Sequence, residues 1–273
     1  MPRLARRSRP LLGTFVEVQA DHEAAIEAAF DTIARVHRLM SAHDAHSDVS
    51  RINCFGHLGP IDVDLWTKSV LERAIFWSRH SEGAFDVVRA GKRAIETGYL
   101  PRHEGQPRPK ASHWTWLEVQ SQTVRLLKPG CLDLGGIAKG FAVDKAVEAM
   151  RSAGASMGLV NAGGDMAGFG DRPWRVEIVD PQRCRPVATV ELLCRALATS
   201  SILPGGACPH LPELSPDLCC ASVLAAQAID ADALAKVLVT GSPLAARCLA
   251  LAGAQGLVVT ARGHAYPHDR VAA

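Results

Sequence analysis

Leu132-Asp133-Leu134-Gly135-Gly136-Ile137-Ala138-Lys139-Gly140-Phe141-Ala142-Val143-Asp144 reads as a strand end that runs into two glycines and then into a helix N-terminus. Glycines let backbone approach a ligand closely, and free N–H groups at a helix start attract anions. Lys139 falls in the first helical turn, where the helix dipole disfavours a cation. A phosphate beside it would account for the lysine. The spacing is neither a P-loop nor G-x-G-x-x-G, so an ordinary Gly-rich turn before a helix is the competing reading.

Leu159-Val160-Asn161-Ala162-Gly163-Gly164-Asp165 repeats the pattern, an apolar strand running into a glycine pair flanked by polar groups. Two such sites close together in the chain suggest a shared cleft floor where backbone touches a large ligand; a plain strand-end turn is the alternative. Ala198-Thr199-Ser200-Ser201 places three adjacent hydroxyls in a loop after a strand, either to hold phosphate or simply to turn the chain. In Asp230-Ala231-Asp232-Ala233-Leu234-Ala235-Lys236, Asp232 and Lys236 are four apart and share a helix face. A surface ion pair is one reading. The surrounding Ala and Leu make the helix look buried, and there a carboxylate needs a partner or a cation.

Outward from these stretches, helices are expected over 22–40 (with Asp21 as cap), 65–80, 138–152, 231–240 and from Ser242-Pro243 through Ala252. Strands are expected over 11–19, 157–161, 174–180, 187–193 and 257–261, with a hairpin over 114–127. Hairpins and helices mix without regular βαβ alternation, which predicts an α+β fold. The Pro- and Gly-rich stretch 98–112 is a loop and a candidate subdomain boundary within one domain covering 1–273.

The chain has 273 residues, 48% hydrophobic and 21% charged, a composition that excludes disordered and collagen-like chains. The net charge of +2 is too small for a nucleic-acid-binding surface. No apolar run reaches the roughly 18 residues of a membrane span. The basic start, with Arg6 and Arg7 adjacent, lacks an apolar segment behind it and reads as a solvated tail, which leaves a cytoplasmic protein with reduced thiols as the expectation. Cys208, His210, Cys219 and Cys220 are metal-ligand types at an unfamiliar spacing, and small buried hydrophobes are the other reading of such cysteines.

Together these segments resemble the FAD:protein FMN transferases, the ApbE-type flavin transferases. Leu11-Leu12-Gly13-Thr14 looks like the family's opening M-G-T strand, with Leu12 at the Met. Ser47-Asp48-Val49-Ser50-Arg51-Ile52-Asn53 resembles S-E-[IL]-S-R-[IL]-N, and Gly83-Ala84-Phe85-Asp86 resembles G-x-F-D. Leu132 to Asp144 is similar almost letter for letter to L-D-L-G-G-I-A-K-G-[YF]-A-V-D. Asn161 to Asp165 resembles N-x-G-G-D, and Ala198-Thr199-Ser200 resembles A-T-S. Ala221-Ser222-Val223 and Ala231-Asp232-Ala233-Leu234-Ala235 look like the final S-V strand and A-D-A-L-A helix.

The resemblance implies a two-subdomain α+β fold with mixed or antiparallel sheets, helices packed on them and a cleft between the halves. It implies FAD as substrate, Mg²⁺ at the pyrophosphate and an acceptor flavoprotein as partner. A threonine hydroxyl of the acceptor attacks the phosphorus on the riboflavin side, FMN joins the acceptor and AMP leaves. Flavin-dinucleotide contacts then fall to Gly13, Thr14, Phe85, Asp86, Gly135, Gly136, Lys139, Asn161, Gly163, Gly164, Asp165, Thr199 and Ser200. Metal contacts fall to Gly136 and Asp232, and catalytic roles to His210, Asp232 and Lys236.

Two departures from the pattern bear on activity. The A-D-A-L-A helix continues with a metal-holding Thr in the family, and here that position is Lys236. A protonated ammonium cannot ligate Mg²⁺, but it can pair with Asp232 and face a pyrophosphate. The family's hairpin ending in H-I-I-D-P-x-T-G is also largely deleted. Pro209-His210-Leu211-Pro212-Glu213 is left as its remnant, with His210 a candidate base or a plain loop histidine. An active transferase, a paralogue that binds FAD without transfer, and a hydrolase of the FAD pyrophosphate are the three readings.

Overall fold

Leu12 and Gly13 turn the chain with φ of 56° and 73°. The turn folds the basic N-terminal segment back as β1 (Ala5–Leu11) on β2 (Thr14–Ala20), antiparallel from Ala5 opposite Ala20 to Leu11 opposite Thr14. The computed structural model describes residues 4–202 and 217–267. The expected solvated tail is thus an edge strand. Its arginines stay exposed but are aligned, with Arg6 on Glu17, Arg7 on Glu23 at 2.5 Å and Arg9 on Glu27 at 2.7 Å.

After α1 (Glu23–Met40) come α2 (Asp48–Phe55), β3 (Ile61–Asp62), α3 (Leu65–His80) and α4 (Val87–Glu96). A 3₁₀ turn at Trp114–Trp116 leads into the hairpin β4 (Leu117–Val119) and β5 (Thr123–Leu126). Then follow α5 (Ala138–Ser152), β6 (Gly158–Ala162), β7 (Asp165–Phe169), β8 (Trp174–Asp180), β9 (Arg185–Leu192) and β10 (Arg195–Ser201). The described chain closes with β11 (Leu218–Ala225), α6 (Ala228–Val239), α7 (Ala245–Leu251), β12 (Gln255–Thr260) and β13 (Ala265–Pro267). The fold is α+β, as expected. Residues 98–112 carry neither helix nor strand beyond turns and bends.

Eight strands form one antiparallel sheet in the order β1-β2-β6-β7-β10-β11-β12-β13. Alternation along each strand gives the sheet two different faces. On one face Val16, Val18, Val160, Ala167, Ala198 and Val223 join the main core under α1, α5 and α6. On the other face Leu159 and Leu197 pack with Ile178 and Leu192 of the β8–β9 hairpin, which lies across the sheet. A separate sheet, β3-β5-β4, stands with α2 and α3.

α6 is buried along its whole length, and alanines dominate where it meets α5 and strands β10 and β11. Small side chains allow close approach. Gly140 carries this furthest: a Cβ there would run into the Ala228 carbonyl and come within 2.8 Å of the Asp232 Cβ.

Other local expectations differ from the structure as well: the strand expected over 11–19 is broken by the Leu12-Gly13 turn, and the last helix starts at Ala245 rather than at Ser242-Pro243. Asp21 does not cap α1; it accepts from the Ser156 N–H at 2.9 Å and hydroxyl at 2.6 Å, while His22 occupies the cap position without a side-chain cap bond. Ala198–Ser201 is not a loop but the end of β10, paired with β11. Leu132 is not in a strand. Its N–H and C=O are taken by the Asn53 side chain at 2.6 and 3.1 Å, so a side-chain amide replaces a neighbouring strand.

Candidate functional site

The two glycine pairs converge on the N-terminal end of α5. Asp133 accepts the Gly135 N–H at 2.8 Å, and Asp133 itself is tied to the Val87 carbonyl through its N–H at 3.0 Å. These bonds set the Gly135-Gly136 turn. Ala138 and Gly140 of the first helical turn already donate their N–H groups, to the Leu134 carbonyl at 2.8 Å and to Asp232 Oδ2 at 3.0 Å. The helix start therefore has fewer N–H groups to offer an anion than the sequence pattern suggests, and the lysines carry more of the positive field.

Across from this turn, Gly163 and Gly164 connect β6 to β7 with φ of 66° and 97°. Asn161 accepts the Gly164 N–H at 2.9 Å and stabilises the turn. A side chain at Gly163 would meet the Thr14 hydroxyl at 2.5 Å, so the β1–β2 turn and the β6–β7 turn abut. Asp165 opens β7 and accepts a hydrogen bond from the Lys139 ammonium. The second pair is Lys236 donating to Asp232 one turn away on α6, and both side chains are almost wholly buried.

The four groups act on one another electrostatically. Burial pushes the Asp165 carboxyl up, and the Asp232 charge adds to this; Lys139 and Lys236 only partly offset it, so its pKa is raised. Burial works on Asp232 in the same sense, but Lys236 first, then Lys139, then hydrogen bonds from Lys236 and Gly140, bring its pKa below the ordinary value. One Asp165 oxygen, Oδ1, and the Ser200 hydroxyl are buried without a hydrogen-bond partner among the described residues. Buried polar atoms are rarely left so, and each needs an explanation.

A cavity of about 360 Å³ opens beside Lys139. Its wall includes Leu12, Gly13, Asp133, Leu134 and Gly135, together with His37, Met40, His43 and Tyr99. His43 and Tyr99 meet edge to face, and His37 Nδ1 accepts the Leu12 N–H at 3.2 Å. These aromatic and α1 residues were not singled out in the sequence, because helix periodicity assigns α1 positions only to core or solvent.

Of the expected site residues, Gly13, Gly135 and Lys139 line this cavity. Gly136 lies against Phe85 and the Lys236 stem, at 3.4 and 3.5 Å from where its Cβ would be. Asp86 caps α4 through the Val88 and Arg89 N–H groups, both at 2.9 Å, and accepts the Trp114 N–H at 3.1 Å. Strand alternation separates Thr199 from Ser200. Thr199 shares a 2.8 Å hydrogen bond with Ser222 and has the parity of Leu197, which faces the β8–β9 hairpin. Ser200 has the parity of Ala198, which faces the helices. His210 and Cys208 lie outside the described residues. Cys219 and Cys220 are buried in β11, and burial raises both thiols, Cys220 to about 12.

The ApbE family model matches residues 12–203. FAD:protein FMN transferase of Treponema pallidum is 26% identical over 208 residues, 64% of this chain and 58% of that protein. The Haemophilus influenzae enzyme of the same name is 30% identical over 165 residues, 54% of this chain and 47% of that one. The chain thus spans about half the length of these curated relatives. The crystal structure of the ApbE protein of Thermotoga maritima superimposes with a TM-score of 0.84 at 24% identity, over 97% of both chains. Flavin transferase ApbE of Vibrio cholerae does so with 0.81 at 22% identity, again over 97% of both. The likeness to the solved structures establishes the fold, the family match covers most of the chain including both glycine turns, and the chain belongs to the ApbE family.

Proposed function

We propose that this chain is an FAD:protein FMN transferase, which moves FMN from FAD onto a threonine of an acceptor flavoprotein and releases AMP. The observation that carries the reading is Lys139. It lines the cavity, reaches Asp165 from the first turn of α5, and joins the Gly135-Gly136 turn to the Gly163-Gly164 turn. A dinucleotide lying here would have its diphosphate beside the Lys139 ammonium and its ring systems toward Tyr99 and His43. The unpartnered Asp165 Oδ1 and Ser200 hydroxyl support a polar ligand at this end of the sheet.

In the reaction, the acceptor hydroxyl oxygen bonds to the phosphorus on the riboflavin side. The bond from that phosphorus to the bridging oxygen breaks, AMP leaves with the bridging oxygen, and the hydroxyl proton passes to a base. Lys139 and Lys236 stabilise charge on the phosphate oxygens. The glycine turns exclude side chains from the diphosphate path.

The family's Mg²⁺ does not fit the residues present. The position that the resemblance gives to a metal-holding threonine is an ammonium, which cannot ligate while protonated and which donates to Asp232, whose other oxygen accepts the Gly140 N–H. The same observation favours a second reading, a protein that holds FAD without transfer. Among the described residues no helix is long and apolar enough to cross a membrane. The cysteines among them are free, and a cytoplasmic setting is part of the same proposal.

The test is incubation with FAD and an acceptor domain that carries a flavinylation threonine. AMP together with covalent flavin fluorescence on the acceptor upholds the transferase. AMP with unlabelled acceptor replaces it with a hydrolase. Quenched flavin fluorescence without AMP replaces it with the binding protein.

A further inference from the structure

We propose that Lys236 is a resident cation standing in the place of a divalent metal, so that Lys139 and Lys236 form a metal-free clamp for a diphosphate-bridged dinucleotide. The ligand class rests on the flavin-transferase reading; the loss of the metal site does not.

Three observations converge on Lys236. First, its ammonium donates to Asp232 Oδ1 with both side chains almost wholly excluded from water. A buried ammonium persists only with a carboxylate beside it, and a buried carboxylate only with a cation, so the two groups satisfy each other. Second, Asp232 Oδ2 accepts the Gly140 N–H, so each Asp232 oxygen already holds a donor from the protein itself. Third, the lysine stem runs along Gly136, with Cε and Cγ at 3.5 and 3.6 Å from the position of a Cβ there. The lysine methylenes thus lie beside the glycine that the family resemblance assigns to the metal.

Magnesium demands near-octahedral oxygen coordination at close range. Here the carboxylate oxygen left without a partner is Asp165 Oδ1. No cluster of three or more His, Cys, Asp or Glu able to hold a metal occurs among the described residues. An ammonium supplies one charge and three donor hydrogens from a fixed position and needs no metal from solution. Two lysines and two aspartates stand together in formal charge balance. An arriving diphosphate accepts from the ammonium hydrogens of Lys139 and Lys236 that do not point to their aspartates.

The test uses Mn²⁺ as the probe, with the signal of the free ion read by electron paramagnetic resonance, and FAD binding read as flavin fluorescence quenching in EDTA and in Mg²⁺. The unaltered chain is expected to leave Mn²⁺ free with and without FAD, and to bind FAD equally in both buffers, within about twofold. Lys236→Thr is expected to take up Mn²⁺ and to bind FAD more tightly in Mg²⁺ than in EDTA. Stoichiometric Mn²⁺ uptake by the unaltered chain overturns the proposal, as does FAD binding that strengthens about tenfold with Mg²⁺. If FAD binds in neither buffer, the flavin reading fails, and Mn²⁺ uptake by the unaltered chain and Lys236→Thr still decides the cation proposal. If Lys236→Thr does not fold, the measurements on the unaltered chain decide it alone.

Discussion

The Asp232 carboxylate and the Lys236 ammonium face each other one turn apart on α6, in a helix whose every residue is buried. The pair is a structural commitment as well as a chemical one. Asp232→Asn strips the charge partner from a buried ammonium and is expected to lower the unfolding free energy by about 3–5 kcal/mol. Asp232→Asn combined with Lys236→Met removes both charges and is expected to recover most of that loss. Urea unfolding of the three proteins checks the prediction; equal losses in the single and double variants would refute it.

Gly140 sets the distance between α5 and α6. Gly140→Ala forces a methyl against the Ala228 carbonyl and the Asp232 Cβ, with backbone on one side that cannot rotate away. The expected loss is about 3 kcal/mol. Gly136→Ala meets only ordinary contacts at 3.4–3.6 Å, so its stability is expected to change by less than about 1 kcal/mol. A comparison of thermal melts separates these two glycines, and a Gly140→Ala melt matching the unaltered chain would be the contrary result.

Asn53 holds Leu132 by a reciprocal pair of hydrogen bonds in a buried place. Asn53→Ala leaves a buried N–H and C=O unpaired and is expected to cost about 2–3 kcal/mol. Amide exchange around Gly135 and Gly136 is expected to accelerate, because the segment leading into them is no longer anchored. Unchanged exchange there would separate Asn53 from the site.

Asp144 accepts the Ala228 and Ile229 N–H groups at 2.7 and 2.9 Å at the start of α6, yet burial raises its pKa to about 6, with Asp230 and Glu148 adding. A carboxyl whose folded pKa is raised binds a proton more readily folded than unfolded. Its contribution to stability is therefore fully present below pH ~4 and is lost as pH rises to ~6, a change of about 3 kcal/mol. Asp144→Asn is expected to remove this component, so its stability relative to the unaltered chain improves from pH 4.5 to 7. Carbon-13 titration of the carboxyl should show a midpoint near 6; a midpoint near 4 would sink the argument.

The helices over 65–80 and 138–152 and the strand over 174–180 are legible in the sequence and appear with the same bounds. Local periodicity and the stop at Gly154 suffice for them. The first strand was not legible, because Arg6, Arg7, Ser8 and Arg9 show no apolar face; β1 exists because its backbone pairs with β2 and its arginines find glutamates from elsewhere in the chain. The hydroxyl run at Thr199 looked like a loop for the same reason. Pairing with β11 makes it a strand, and strand alternation then sends Thr199 and Ser200 to opposite faces.

The order of glycine pairs, lysine and aspartates along the chain carries the resemblance to the family, since those features are local in sequence. That Lys139 pairs with Asp165, that the Lys236 stem runs along Gly136, and that His43 and Tyr99 stand over the same cavity depended on which elements the sheet order brings together. Charge pairing acts through space over a few ångströms, and only the folded chain fixes those distances.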